Sequence, residues 1–82
     1  MMIVFFYNND GRKLRYIING LLKSGAATKI RRINYVQSYT LHENTIQKHQ
    51  EKMVQIEYTS ENEKKVEAML KKSEIKEFKI IN

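Results

Sequence analysis

Residues Met2–Tyr7 read Met-Ile-Val-Phe-Phe-Tyr, six apolar residues in a row. In an extended strand successive side chains point to opposite faces. Ile3, Phe5 and Tyr7 therefore face one way, and Val4 and Phe6 the other. A strand with one wet face alternates apolar and polar residues, whereas an unbroken apolar run needs cover on both sides. This segment belongs in the middle of a sheet. In a chain of 82 residues, it also calls for a covering layer beyond the chain's own helices, so an oligomer is expected.

Size leads to the same expectation. A chain this short buries roughly 60–65% of its unfolded surface, which leaves a thin core for the one domain expected over residues 1–82. Small domains commonly add disulfides, a structural metal or subunit contacts. The chain has no cysteine, which excludes disulfides and thiolate metal sites and leaves subunit contacts. The same absence agrees with a reducing cytosol. No apolar run approaches the ~20 residues of a membrane span. Met2–Tyr7 is too short for a signal-peptide core and has no basic segment before it. A soluble cytoplasmic protein is expected.

The net charge of +6 is unevenly placed. Residues 1–41 carry seven cations (Arg12, Lys13, Arg15, Lys23, Lys29, Arg31 and Arg32) against Asp10 alone, whereas residues 42–82 balance eight lysines with eight glutamates. Such asymmetry suits an anionic or nucleic-acid partner. It equally suits a basic face meeting an acidic one across a subunit contact.

Six elements follow along the chain. Asn8-Asn9-Asp10-Gly11 is a polar turn, with Asn9 or Asp10 placed to cap a helix. Leu14, Ile17, Ile18, Leu21 and Leu22 form one stripe of that helix. Gly20 suggests a close approach to the sheet, and Gly25 suits a left-handed helix end. Ala26–Leu41 is rich in β-branched residues and tyrosine. Ile33, Tyr35, Tyr39 and Leu41 share one parity there and Ile30 has the other, so a bulge near Arg31-Arg32 is predicted. His42-Glu43-Asn44-Thr45 is a hairpin turn in which Asn44 best tolerates positive φ. Ile46–Thr59 returns as the partner strand, with Val54, Ile56 and Tyr58 inward. Ser60 and Glu63 have the spacing of a capping box. Val66, Met69 and Leu70 form the inner face of a second helix, and Ile75–Ile81 closes the chain as a strand with Phe78 and Ile80 on one face.

The order β-α-β-β-α-β is the α+β, ferredoxin-like pattern, with antiparallel sheet order 4-1-3-2 and a long hairpin between the second and third strands. Right-handed crossovers place both helices on one face. The other face is open, with Val4 and Phe6, or else Ile3, Phe5 and Tyr7, lying on it. Val4 and Phe6 are the expected interface pair.

The residues show no enzyme signature: no nucleophile constellation and no glycine-rich phosphate loop. Hairpin pairing about Asn44 sets His42 opposite a residue near 46 or 47 rather than His49. His42 is thus a metal-ligand candidate only with symmetry mates. Arg31 and Arg32, charged in mid-strand, are candidate anion-binding residues. An RNA-recognition module shares this element order but needs exposed aromatics on its first and third strands. Met53, Gln55 and Glu57 supply none on one face of the third. The basic first half nevertheless keeps a nucleic-acid-binding ferredoxin-like module as the alternative reading.

With these elements placed, the chain resembles the CutA divalent-cation tolerance family and, through it, the trimeric nitrogen-regulatory signalling proteins. Met2-Ile3-Val4 resembles the family's first strand, and Leu21-Leu22-Lys23-Ser24-Gly25-Ala26-Ala27 its first helix end. Ser38–Ile46 resembles its hairpin, Lys52–Thr59 its third strand and Ser60–Lys72 its second helix. Leu41 and His42 stand where the family has two tryptophans, Thr40 where it has tyrosine and Asn44 where it has glycine. Ser73-Glu74 stands in place of its His-Pro-Tyr-Glu segment. The resemblance implies a non-enzymatic homotrimer in which the hairpin reaches a neighbouring subunit, making Tyr35, Tyr39 and Leu41 interface anchors. It implies a role in divalent metal-ion tolerance or small-ligand signalling, with a divalent metal ion as the one cofactor in question. A small CRISPR-associated nuclease of similar fold carries an aspartate after the first strand, where Asn8 stands here.

Overall fold

The computed structural model describes residues 1–82. Strand β1 (Met2–Tyr7) leads to helix α1 (Gly11–Lys23), then to the long strands β2 (Lys29–His42) and β3 (Thr45–Tyr58). A 3₁₀ turn (Ser60–Asn62), helix α2 (Glu63–Lys72) and strand β4 (Lys79–Ile81) complete the chain. The sheet order is β2-β3-β1-β4, and every neighbouring pair is antiparallel. This is the expected 4-1-3-2 order, with the apolar first strand central.

Residues directly opposed across antiparallel strands share a face. Val4 pairs with Ile56 and Phe6 with Val54. These four, with Tyr58, meet Leu14, Ile17 and Leu21 of α1 and Val66 and Leu70 of α2 in one buried core. Val4 and Phe6 are thus sealed beneath the helices, which corrects their expected place on the open face. The alternative set, Ile3, Phe5 and Tyr7, lies there instead.

Helix ends follow local chemistry. Asp10 caps α1, its Oδ1 accepting from Arg12 N at 3.1 Å and Lys13 N at 3.2 Å. Asn9 has a different task. Its Oδ1 accepts from Lys52 N at 3.0 Å and its Nδ2 donates to Gln50 O at 3.3 Å, so its side chain prolongs the β1–β3 ladder past Tyr7. Gly25, at φ +77°, ends α1, and its N–H donates to Leu22 O. Gly20 faces α2 rather than the sheet: a Cβ there would lie 2.7 Å from Met69 Cε.

The second helix differs from expectation at both ends. The predicted capping box does not form, because Ser60 starts a 3₁₀ turn and Asn62 precedes α2 without a side-chain cap bond. At the other end Glu74 N–H donates to Lys71 O and Ile75 N–H to Leu70 O. This pair of bonds is a Schellman ending, with Glu74 at φ +59° where glycine is usual. It turns the chain and drops Ile75 into the core, which is why β4 starts only at Lys79. Phe78 packs on the core edge.

Beyond the core, β2 and β3 continue as a two-stranded arm. The radius of gyration, 13.9 Å, exceeds the about 12 Å of a compact domain of this length. The longest axis is 45 Å against 26 and 19 Å. Glu43 and Asn44 take φ of +49° and +63°, as a tight two-residue turn requires. His42 pairs with Thr45, slightly nearer the turn than the 46–47 expected.

Candidate functional site on the open sheet face and the hairpin arm

The face opposite the helices is assembled by register. Ile3 pairs with Glu57 and Ile81, Phe5 with Gln55 and Lys79, and Tyr7 with Met53. Met53 in turn pairs with Ile33, and Gln55 with Arg31. Ile3, Phe5, Tyr7, Met53 and Ile33 therefore form an apolar strip on the face without helices, with Tyr7 and Ile33 exposed and Ile3, Phe5 and Met53 half-buried. Gln55, Glu57, Arg31 and Lys79 border it. Arg31 Nη1 reaches Glu57 Oε2 at 2.7 Å, an exposed pair of the kind worth at most about 1 kcal/mol. The aromatics on this face, Phe5 and Tyr7, come from β1 alone. The third strand adds Met53, Gln55 and Glu57, so the two-strand stacking platform of an RNA-recognition module is not built.

The bulge falls between Ile33 and Val36, at Asn34-Tyr35, three residues beyond the expected position at Arg31-Arg32. Its effect is the expected one for Tyr39 and Leu41, which come to the same side as Ile30. Ile33, which lies before the bulge, stays on the open face and parts company with Tyr39 and Leu41 despite equal parity. Cross-strand pairing was the signal that would have assigned Ile33 and Met53.

Past the bulge the arm has a polar side and an aromatic side. On the first, Ser38 Oγ donates to Glu51 Oε2 at 2.8 Å and Thr40 Oγ1 meets His49 Nε2 at 3.2 Å. On the second stand Tyr35, Tyr39, Leu41 and Ile46, exposed by 65%, 62%, 72% and 71%. Gln50 Nε2 donates to Tyr35 Oη at 2.6 Å, and Tyr39 Oη donates to Gln37 Oε1 at 3.0 Å. These bonds steady the rings while leaving their faces free.

The remaining candidates separate. Arg31 is on the open face and ion-paired. Arg32, paired with Val54, is on the helix side. Its Nε donates to Asn34 Oδ1 at 2.6 Å. His42 Nε2 lies 3.9 Å from Glu43 Oε1 at the exposed arm tip, and no three His, Asp or Glu side chains converge anywhere in the chain to hold a metal ion.

Solved structures with this architecture include several of one kind. The divalent cation tolerance protein Cut A1 from Thermus thermophilus superposes with a TM-score of 0.75 at 15% identity, over 100% of this chain and 84% of that one. The fold is that of the CutA proteins. CutA1 from the psychrotrophic bacterium Shewanella sp. SIB1 matches with a TM-score of 0.75 at 18% identity, over 98% of this chain and 78% of its own. The periplasmic divalent cation tolerance protein CutA from Archaeoglobus fulgidus matches at 0.70 and 17%, over 99% and 80%. No family model matches the sequence, and no curated protein matches it either. At these identities the likeness to CutA is one of fold. It extends over both helices, the four-stranded sheet and the arm, because each alignment spans nearly the whole chain. No helix is long and apolar enough to cross a membrane.

Proposed function

We propose that this chain is a non-enzymatic, CutA-like homotrimer whose open sheet faces pack around a common axis and whose arms reach onto neighbouring subunits. The observation that carries this reading is the apolar strip Ile3, Phe5, Tyr7, Met53 and Ile33 on the face without helices, beside an arm that holds Tyr35, Tyr39 and Leu41 in water. A strip of this kind, bordered by polar groups, marks an association surface. Large aromatics with few rotatable bonds are effective anchors at such surfaces.

The role proposed for the assembly is divalent-cation tolerance or small-ligand signalling in the cytoplasm. The names of the solved neighbours support the first of these, and the lack of a converged triad in one chain directs any metal site to subunit contacts. His42 with Glu43 is the ligand pair each copy would bring.

Size-exclusion chromatography with light scattering is the direct test. Three chain masses are expected at micromolar concentration, and a folded monomer would refute the assembly. Equilibrium dialysis against divalent cations, with His42→Ala as the comparison, then tests the metal role. Unchanged binding in that variant removes His42 from it.

A further inference from the structure

We infer that Arg32 and Lys52 form an oxyanion site for the phosphoryl group of a small polar ligand. It lies at the root of the arm on the helix side of the sheet. The two residues belong to different strands. Arg32 Nη2 and Lys52 Nζ each lie 3.4 Å from the point a Cβ on Gly11 would occupy. Two positive charges are thus held within about 7 Å of each other, where they repel.

Neither has an ion-pair partner in the chain, where the ion pairs are Arg31–Glu57 and His42–Glu43. Of the acids close in sequence, Asp10 Oδ1 caps α1 through Arg12 N and Lys13 N, and Glu51 Oε2 accepts from Ser38 Oγ. Arg32 and Lys52 are half-buried as residues, their stems covered while the charged ends reach solvent. Each is also steered by a neutral oxygen. Arg32 Nε donates to Asn34 Oδ1 at 2.6 Å, and Lys52 Nζ donates to Asn9 O at 3.5 Å. Two neighbouring cations, each oriented by an oxygen and neither ion-paired, suit an anion. A tetrahedral oxyanion can take the guanidinium fork and the ammonium point charge from different directions.

The surroundings indicate what the anion is attached to. Beside Lys52 opens a cleft of about 380 Å³ lined by Asn9, Asn34, Tyr35, Gln50, Glu51 and Lys52. That volume is within the range of small-molecule sites. Of its polar walls, Asn34 Nδ2, Gln50 Oε1 and Glu51 Oε1 make no hydrogen bond within the chain and suit hydroxyls and ring nitrogens. A phosphate monoester on a polar body fits this chemistry, and its charged end would sit on Arg32 and Lys52.

The test is an amide-resolved NMR titration of the intact chain with inorganic phosphate, with AMP and with adenosine, at fixed ionic strength. Shifts confined to Gly11, Arg32 and Lys52 are expected with phosphate and AMP but not with adenosine. Tighter binding of AMP than of phosphate assigns the cleft to the ester; equal binding overturns the ester and leaves a site for free phosphate. Arg32→Gln and Lys52→Gln should each weaken binding about tenfold or more, as loss of a charge-assisted hydrogen bond does, with Arg31→Gln unchanged. Arg32→Lys keeps the charge and should retain part of the affinity, which separates ligand loss from misfolding. The inference is overturned by absent shifts up to about 20 mM phosphate, a concentration above any useful affinity. It is also overturned by Arg31→Gln being as damaging as Arg32→Gln, or by an oligonucleotide that binds through these cations without competition from phosphate. Light scattering on the same samples reports the trimer separately.

Discussion

Phe5 and Phe6 are consecutive in the chain and lie on opposite faces of β1. Phe6 is 1% exposed, inside the core with Val54 across from it. Phe5 sits on the face without helices, opposite Gln55 and Lys79. Two identical side chains therefore hold two different tasks. Phe6→Ala should cost about 3–5 kcal/mol, the usual loss for a buried Phe in a packed core. Phe5→Asp should leave a folded chain and abolish association. Urea unfolding and light scattering on both variants check this, and equal effects on folding would refute the division.

Tyr58 is fully buried, yet its hydroxyl has no hydrogen-bond partner. A buried polar atom left unsatisfied costs about 1–3 kcal/mol. Tyr58→Phe should therefore be neutral or stabilising in thermal unfolding. The phenol pKa is raised above its ordinary value, first by burial and then by the carboxylates of Glu63 and Glu67. The unfolded chain thus loses its Tyr58 proton at lower pH than the folded one. This contribution to stability is intact below about pH 10 and declines as pH rises beyond it. The difference between wild type and Tyr58→Phe should widen in favour of the variant only in that alkaline range.

The two helix ends make a matched pair. Gly25 and Glu74 both hold positive φ after a helix, and only the first is glycine. A Cβ on Gly25 would meet nothing within 4 Å, so Gly25→Ala should lose about 1 kcal/mol from backbone strain alone. Glu74→Gly relieves that strain and should gain up to about 1 kcal/mol. Chemical denaturation of both variants should give shifts of opposite sign.

Asn9 ties the end of β1 to the root of the arm through Lys52 N and Gln50 O. Asn9→Ala should cost about 1–2 kcal/mol for two lost hydrogen bonds. Hydrogen exchange should quicken at Lys52 before it does in the core. Protection unchanged at Lys52 would show that the ladder does not need this side chain.

Gly20 lies under the flexible end of Met69. Gly20→Ala should displace Met69 Cε at little cost and recover helix propensity, for a net gain of about 0.5 kcal/mol. A leucine in place of Gly20 should lose stability, because the close contact between helices would have to open. Thermal melts of the two variants should move in opposite directions.

Element order and helix face were legible because they rest on local periodicity, and sheet order followed from the ferredoxin-like pattern that this element order matches. Leu14, Ile17 and Leu21 at helical spacing, and Val54, Ile56 and Tyr58 in strict alternation, name their own buried sides. Met2–Tyr7 announces that both of its faces need cover. Alternation alone, however, has no sign. Whether Val4 and Phe6 or Ile3, Phe5 and Tyr7 meet the helices depends on crossover geometry, and the helices took the first pair. The bulge between Ile33 and Val36 was likewise a matter of pairing: one extra residue in β2 put Ile33 and Tyr39 on different sides. The meeting of Arg32 with Lys52 is the most tertiary feature of all. About twenty residues separate them, and only the register of β2 against β3, beneath the start of α1, places one charge beside the other.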